Sequence, residues 1–287
     1  MRLPDFVIIG AQKAGTTWLR RQLQAHSRIF MPKEELHFFD DPKKYDEGVA
    51  AYARHFQGAQ DGQLAGEKTP DYLYLGECTD IPNGVARMHE LLPDAKLIAI
   101  FRDPVTRAES AVNHLIHQYG ISPLCSVDGL LLGQKRERLP WPVVEMGIYD
   151  RQLEPFLDLF GPSAILTLFY EDDVIGDPQS TVNRVLDFLG LSHEEHTREL
   201  GIRTNRPRRS RFGLVVNHYA PLLSGLAGSF EVLLPDYYPR LSEAGREALY
   251  RFYEPHNEKL FALLGKRPRW GWRLGSHDDW KGEDGVG

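Results

Sequence analysis

The chain has little of several features that mark common protein classes. It contains only two cysteines in 287 residues, and it has no apolar run near the roughly 20 residues that a membrane-spanning helix needs. It also lacks an excess of positive charge, because 40 acidic residues outnumber 34 basic ones and give a formal net charge of -6. These absences argue against a disulfide scaffold, a membrane span and a general nucleic-acid-binding protein.

The two cysteines and the N-terminus carry no targeting or metal signal. Cys78 and Cys125 have neither metal-ligand spacing nor a CxxC arrangement, so two free thiols are expected, with a disulfide between them as the open alternative. The first apolar run, at residues 6–9, is too short and too quickly interrupted for a signal peptide. A cytoplasmic location is the default expectation.

The pattern of apolar residues predicts a mixed fold. Three short runs, at residues 6–9, 97–101 and 165–170, are rich in β-branched or aromatic residues and do not alternate, which is typical of strands buried on both faces of a parallel sheet. Helical candidates follow these runs, at residues 17–25, 105–119 and 178–189. The alternation predicts an α/β protein, a three-layer P-loop-type fold with a central parallel sheet flanked by helices.

Two other segments stand apart from this alternation. Residues 122–142 mix glycine, proline and charge without periodicity, which indicates an insertion or a lid. Residues 242–264 carry apolar positions at helical spacing, with an expected interruption near Pro255.

The stretch FVIIGAQKAGTTW, residues 6–18, places a glycine-bounded loop between a buried strand and a helix. Such a loop directs backbone N–H groups at an anion, and two threonines add hydroxyl donors. The nucleoside-triphosphate loop GxxxxGK[ST] has its lysine where this chain has Thr16, and the lysine nearby is Lys13. A magnesium-bound triphosphate is therefore poorly supported. A nucleotide whose transferable group sits on its 5′-phosphate fits better, and a plain strand-to-helix turn is the competing interpretation.

The sequence KAGTT after an apolar strand resembles the 5′-phosphosulfate loop of sulfotransferases that use 3′-phosphoadenosine 5′-phosphosulfate (PAPS). The similarity is greatest to the branch related to heparan sulfate sulfotransferases and their bacterial relatives. A second motif, IAIFRDPVTRAESAVNHL, places Arg102 after an apolar strand and Ser110 two helical turns later. In the family the matching arginine and serine bind the 3′-phosphate, a task that suits the planar guanidinium group. The alternative is a surface Arg-Asp pair that caps a helix.

A third candidate for phosphate contact is the basic stretch NRPRRSR, residues 205–211, which corresponds to a basic loop in related sulfotransferases; a solvated loop is the alternative. Taken together, the resemblance implies that the nucleotide is bound by Lys13, Ala14, Gly15, Thr16, Thr17, Trp18, Arg102, Ser110, Tyr170, Arg208 and Arg209.

The segment PKEELHFFD, residues 32–40, resembles the E-x-H-F-F-D motif of the heparan sulfate branch. In that motif the glutamate two residues before the histidine is the proposed base, which selects Glu35 rather than Glu34 and places Asp40 on an acceptor-binding aspartate. In an extended segment, Glu35 and His37 would point to the same side. Work near neutral pH would require burial or a neighbouring group to raise the pKa of Glu35. The alternative is a solvated charge run beside an interior histidine.

The segment GEKTPDYLY, residues 66–74, adds a second lysine. Lys68 matches a lysine near the transferring sulfuryl group in relatives, and Lys13 is expected to stabilise charge on the bridging oxygen. An ordinary surface lysine after a short strand is the alternative for Lys68. The resemblance implies catalytic roles for Glu35, His37, Lys13 and Lys68, and acceptor binding by Asp40, Lys68 and Tyr72.

The resemblance extends from about residue 4 to residue 272 in consistent motif order, which favours one domain over residues 1–274 with a disordered tail at 275–287. It implies sulfuryl transfer from PAPS to a hydroxyl or an amine of a carbohydrate, lipid or natural product. The nucleotide product would be adenosine 3′,5′-bisphosphate (PAP), and no metal is needed. A P-loop kinase-like phosphotransferase and a non-catalytic nucleotide-binding protein are the two alternatives.

Overall fold

A five-stranded parallel sheet lies at the centre of the computed structural model. The structure describes residues 1–76, 83–133, 139–193, 210–220, 235 and 237–270. The strands are β1 (Phe6–Gly10), β2 (Ile29–Phe30), β3 (Leu64–Lys68), β4 (Lys96–Phe101) and β5 (Ile165–Phe169), in the spatial order β2-β3-β1-β4-β5. Every neighbouring pair is parallel, which confirms the predicted α/β fold.

Helices flank this sheet, and short 3₁₀ or π-helical turns connect several of them. The α-helices are α1 (Thr16–Leu23), α2 (Pro42–Asp46), α3 (Val49–Arg54), α4 (Gly84–Leu91), α5 (Pro104–Gln118), α6 (Val127–Leu131), α7 (Tyr149–Phe160), α8 (Pro178–Leu189), α9 (Arg211–Tyr219) and α10 (Glu243–Leu264). Helix α7 packs with α4 and α10, and α1 packs with α8. In the described parts of the chain, no helix combines the length and apolar character required to cross a membrane.

Helix α10 does not break at Pro255, so the predicted interruption is wrong. Leu249 and Tyr253, before the proline, are buried in the apolar cluster formed with α5 and α6. Leu260 and Phe261, after it, are buried in the main core around the sheet. Packing on both sides therefore keeps one continuous helix despite the missing N–H group.

The segment expected to be an irregular insertion also contributes to the core. It contains α6, whose Val127, Leu130 and Leu131 are buried against α5. Five residues are too few to show a periodic signal in the sequence. Residues 134–138 of this segment, Cys78 and the tail from residue 275 lie outside the described residues, while Cys125 has a free thiol.

The register of the sheet fixes which loops meet. Strand β1 is fully buried and pairs with β3 on one side and β4 on the other. The carboxyl ends of these three neighbours therefore lie at one edge of the sheet, where α/β proteins bind ligands. Within the β1–β3 pair, Phe6 is opposite Gly66, and its ring covers the space that a side chain would occupy.

The Phe6–Gly66 contact predicts a specific cost for a methyl group. A Cβ atom on Gly66 would lie 2.2 to 2.5 Å from three atoms of the Phe6 ring. We expect Gly66→Ala to lower the free energy of unfolding by about 1–3 kcal/mol through overpacking, as measured by urea denaturation. Phe6→Leu should relieve the clash, so the double variant should lose less stability than the sum of the single variants. Strict additivity would contradict this packing account.

Candidate active site

Three cationic side chains come from successive loops at one edge of the sheet. Lys13 lies in the loop after β1, Lys68 is the last residue of β3, and Arg102 directly follows β4. Because these strands are neighbours and parallel, their carboxyl ends bring the three cations together. The edge of the sheet thus concentrates positive charge where the sequence predicts a phosphate site.

The loop after β1 has the tight backbone that its glycines suggest. Gly15 has a φ of +92° at the N-cap of α1, and a Cβ atom there would lie 2.9 Å from the Tyr170 ring. Ala14 is fully buried, and its N–H group donates to the Ala11 carbonyl at 3.2 Å. Thr16 is buried at the start of α1. Backbone groups and exposed parts of the loop, rather than the Ala14 side chain, are therefore available to an anion.

Lys68 connects the loop to the candidate base. Its side chain is only 2% exposed, and its Nζ atom donates to a carboxylate oxygen of Glu35 and to Thr17 Oγ1 at 3.3 Å. Burial lowers the pKa of Lys68, and burial together with the neighbouring Arg102 lowers the pKa of Lys13 to about 8. Positive charge is thus held in a partly desolvated place.

His37 lies between two carboxylates. Its Nδ1 atom is 2.9 Å from Asp40 Oδ2, and its Nε2 atom is 3.6 Å from Glu35 Oε2. The hydrogen bond to Asp40 and the charged contact with Glu35 raise the pKa of His37 to about 10, so the imidazole is a cation at neutral pH. The predicted proximity to Glu35 is present. The expected extended segment is wrong, because His37 has a φ of +53°.

The pKa of Glu35 shifts in the direction opposite to the one expected from the sequence. Burial raises it, but hydrogen bonds and charge from His37 and Lys68 outweigh burial and lower the pKa to about 2. The raised pKa that work near neutral pH would require is therefore absent, because the His37 cation and Lys68, which comes from β3, both lie against this carboxylate. Glu35 is therefore ionised in the protein without ligand, and its side chain is 37% exposed.

Two buried groups support the segment that carries Glu35. Thr69 Oγ1 accepts a hydrogen bond from the Leu36 N–H group at 3.1 Å, and the Tyr72 hydroxyl accepts one from the Phe38 N–H group at 2.8 Å. Tyr72 is fully buried, so the predicted direct contact with an acceptor does not fit this geometry. Tyr72 instead supports the backbone of the segment that carries Glu35, because its hydroxyl group and its aromatic ring are both buried against that segment.

Arg102 joins the two nucleotide motifs. Its guanidinium group lies over the Tyr170 ring at 4.8 Å, and it donates to the Lys13 carbonyl at 3.1 Å and to Thr106 Oγ1 at 3.2 Å. Ser110 lies further along α5 and is partly exposed. The side chain of Arg102 is thus held against the loop after β1. Arg208 and Arg209 lie outside the described residues.

Two titratable groups beside the site, Asp71 and His114, were not among the residues predicted from the sequence. Asp71 Oδ1 accepts a hydrogen bond from Gln12 Nε2 at 3.1 Å, and burial and Asp40 raise its pKa to about 6. Burial and the charge of Lys13 lower the pKa of His114 to about 4. Both had a signal in the sequence: Asp71 is part of EKTPDYLY, and His114 is four residues after Ser110, on the same face of α5.

The space beside Glu35 has room for a ligand, and both aromatic and acidic side chains line it. A cavity of about 240 Å³ lies beside Glu35, and it is lined by the buried aromatic residues Phe38 and Tyr52 and by the exposed Glu34 and Glu47, among others. Asp71, Glu35 and His37 also place ligand-type atoms within 4.8 Å of one another. Lys68 already contacts Glu35 in this cluster, so a cation of the protein occupies one side of the carboxylate.

Comparisons with known proteins agree with this geometry. A family model described as Sulfotransferase family matches residues 4–195. The chain is 30% identical over 274 residues to the heparan sulfate glucosamine 3-O-sulfotransferase 6 of Mus musculus, which covers 94% of this chain and 74% of that protein. It is 34% identical over 193 residues to the heparan sulfate glucosamine 3-O-sulfotransferase 3B1 of Homo sapiens, covering 66% of this chain and 47% of that protein.

A solved structure extends the agreement to the fold. The crystal structure of a sulfotransferase from Alicyclobacillus acidocaldarius aligns with a TM-score of 0.68 and 26% identity, covering 93% of this chain and 98% of that one. The resemblance that the motifs predicted is thereby confirmed. The chain belongs to the sulfotransferase family.

Proposed function

We propose that this sulfotransferase moves a sulfuryl group from PAPS to a hydroxyl group of a carbohydrate-type acceptor, with Glu35 as the general base. One observation carries the proposal: Lys13, Lys68 and Arg102 converge at one sheet edge, and the buried Lys68 contacts Glu35 directly. The named activity of the mammalian relatives, which is 3-O-sulfation of a glucosamine in heparan sulfate, supports a sugar hydroxyl as the acceptor.

The residues at the sheet edge fit the donor. The pKa of Lys13 is lowered by burial and by Arg102, so a polyanion bound there would stabilise the charged ammonium group. The loop from Gly10 to Thr17 would hold the 5′-phosphosulfate by backbone donors, and Arg102 with Ser110 would bind the 3′-phosphate. PAPS would supply the activated sulfuryl group to this arrangement.

Glu35 would take the proton of the acceptor hydroxyl while that oxygen attacks sulfur. The new bond joins the acceptor oxygen to sulfur, and the bond between sulfur and the 5′-phosphate oxygen breaks with its electron pair left on the phosphate. Lys13 would stabilise the charge that develops on this departing oxygen, and Lys68 would stabilise the sulfuryl oxygens. The products are the sulfated acceptor and PAP, and no metal ion takes part in the scheme.

Through the Lys68–Glu35 contact, donor binding would change the pKa of Glu35. With a pKa of about 2, Glu35 is ionised but weakly basic while Lys68 and His37 both bind it. When Lys68 turns its ammonium group towards sulfuryl oxygens, Glu35 loses one of these partners and its pKa rises. His37, already a cation, would orient Glu35 and would not itself take the proton.

The two alternatives fit the site less well. A kinase-like phosphotransferase needs a lysine at the position of Thr16, and this threonine is buried at the start of α1. A non-catalytic nucleotide-binding protein would need Glu35 only to balance the charge of Lys68 and His37, and membership of the sulfotransferase family argues against it. Both alternatives make predictions that differ from ours.

Ligand-dependent stability separates PAPS chemistry from ATP chemistry. We expect PAP at about 100 times its Kd to raise the free energy of unfolding by about 2.7 kcal/mol, because it binds only the folded state. Magnesium and ATP at the same concentration should have a smaller effect, and a chelator should leave the effect of PAP unchanged. Thermal unfolding with each ligand measures this. Stabilisation by magnesium and ATP with no response to PAP would contradict the proposal.

A matched pair of neighbouring glutamates tests the base. Glu35→Gln should reduce turnover by about 10²–10⁴-fold, because the variant cannot accept the acceptor proton. PAP binding should not weaken, since the change removes negative charge beside three cations. Glu34→Gln makes the same change at an exposed residue of the cavity wall, whose carboxylate faces His55 at 3.5 Å, and it should retain kcat at saturating acceptor.

The assay follows transfer from labelled PAPS to an N-sulfated heparan-type polysaccharide and to a neutral disaccharide. Calorimetry with PAP reports binding for each variant, and circular dichroism confirms that each variant is folded. Wild-type turnover by a folded Glu35→Gln variant would remove Glu35 from the mechanism.

A further inference from the structure

The peptide group between Arg102 and Asp103 is held at both of its ends by side chains. It lies between β4 and α5, where no strand ladder fixes it. Its carbonyl group accepts a hydrogen bond from the Tyr149 hydroxyl at 2.9 Å, and its N–H group donates to Glu171 Oε1 at 3.2 Å. Two side chains from other elements thus fix the orientation of the peptide group that follows Arg102.

Glu171 has a second contact that fixes its own orientation. Its Oε2 atom accepts a hydrogen bond from the Trp270 indole N–H group at 3.0 Å. Both carboxylate oxygens are therefore used, one by the Arg102–Asp103 peptide and one by a side chain near the C-terminus. Burial and the neighbouring Asp103 carboxyl raise the pKa of Glu171 to about 7.

The residue before Glu171 acts on the same arginine from another direction. The Tyr170 ring lies under the Arg102 guanidinium group and also packs where a side chain on Gly15 would sit. Tyr170 and Glu171 open the π-helical turn Tyr170–Ile175 after β5. Two consecutive residues thus hold the side chain and the following peptide of Arg102.

We propose that Glu171 is a positioning residue for the nucleotide's 3′-phosphate, acting through the Arg102–Asp103 peptide. Its hydrogen bond to Trp270 connects this site to residues 269–270, the C-terminal segment. The inference rests on the proposed function for the identity of the ligand of Arg102. It adds a residue that the motifs did not select.

Phosphate binding by Arg102 depends on the direction in which its guanidinium group points. A guanidinium group binds phosphate by two parallel hydrogen bonds, so a small rotation of the supporting backbone loses contact. The loop that would hold the 5′-phosphate is shaped by Gly15 and α1, and Arg102 meets it through one hydrogen bond to the Lys13 carbonyl. A defect at Glu171 should therefore weaken the binding of ligands with a 3′-phosphate far more than that of ligands without one.

Glu171→Gln tests the difference between ligands with and without a 3′-phosphate. Glutamine has the same shape as glutamate, but its NH₂ group cannot accept a hydrogen bond, so either the Asp103 N–H or the Trp270 indole N–H loses its acceptor. We expect the Kd of PAP to rise roughly 10-fold, in line with the loss of one hydrogen bond to a charged group. The Kd of adenosine 5′-monophosphate should change far less. Calorimetry at pH 8, above the pKa of Glu171, measures both ligands.

The next residue provides a matched control. Asp172 accepts hydrogen bonds from Arg269 N at 3.0 Å and Arg269 Nε at 2.8 Å, so it also contacts the C-terminal segment but not the Arg102–Asp103 peptide. Asp172→Asn should leave the affinity for PAP unchanged. Equal weakening by both variants would show a general effect of that segment and would overturn the inference.

Trp270→Phe provides an independent variant that keeps an aromatic ring and removes the N–H donor. It should weaken PAP binding selectively, and the double variant with Glu171→Gln should be no weaker than the stronger single variant, because the indole donor acts on the Arg102–Asp103 peptide through the Glu171 carboxylate. Three results would overturn this inference and leave the proposed function standing. They are additive losses of PAP affinity in the double variant, equal losses of affinity for both nucleotides, and no loss of PAP affinity in Glu171→Gln. If the wild-type protein does not prefer PAP to adenosine 5′-monophosphate, the assignment of Arg102 fails, and the inference fails with it.

Discussion

The crowding of positive charge at the carboxyl edge of the sheet is the constraint on which the rest of the structure depends. Lys13, Lys68 and Arg102 are like charges in a partly desolvated place, and burial lowers the pKa of both lysines. Such a cluster is unfavourable unless anions compensate it. Glu35 is the compensation that the protein carries, and a polyanionic donor would supply the remainder. The same electrostatics would favour a polyanionic ligand at this edge of the sheet.

The compensation also determines the protonation state of Glu35. Because Glu35 binds Lys68 on one side and lies beside the His37 cation on the other, its carboxylate is kept ionised, and its pKa would rise on losing either partner. Asp40 supports the charge on His37, and buried hydroxyls of Thr69 and Tyr72 hold the backbone of the segment. Glu35 is therefore part of the charge balance of the site, and in the proposed mechanism Lys68 would couple donor binding to the strength of this base.

How far the sequence could predict this site depends on the range of the interactions. Arg102 and the loop around Lys13 were predictable, because a buried strand followed by a turn and a helix start is a local signal. The pKa of Glu35 was not, because His37 and Lys68 together lower it, and Lys68, which is 33 positions away, reaches Glu35 through the pairing of β3 with β2, the strand that precedes Glu35. The burial of Tyr72 depends on the same packing. The continuous helix through Pro255 reflects core contacts on both sides that a single-residue rule does not include.

The effect of Lys13→Ala on turnover and on PAP affinity, measured in the same preparation, tests the central claim most directly. If Lys13 stabilises charge that develops on the departing oxygen, the change removes an interaction that is strongest in the transition state. Turnover should then fall by about 10²–10³-fold, as for loss of one preorganised donor, while the Kd of PAP changes far less. A loss of PAP affinity as large as the loss of kcat/KM, with kcat preserved at saturating donor, would contradict the account and reduce Lys13 to an anchor for the nucleotide.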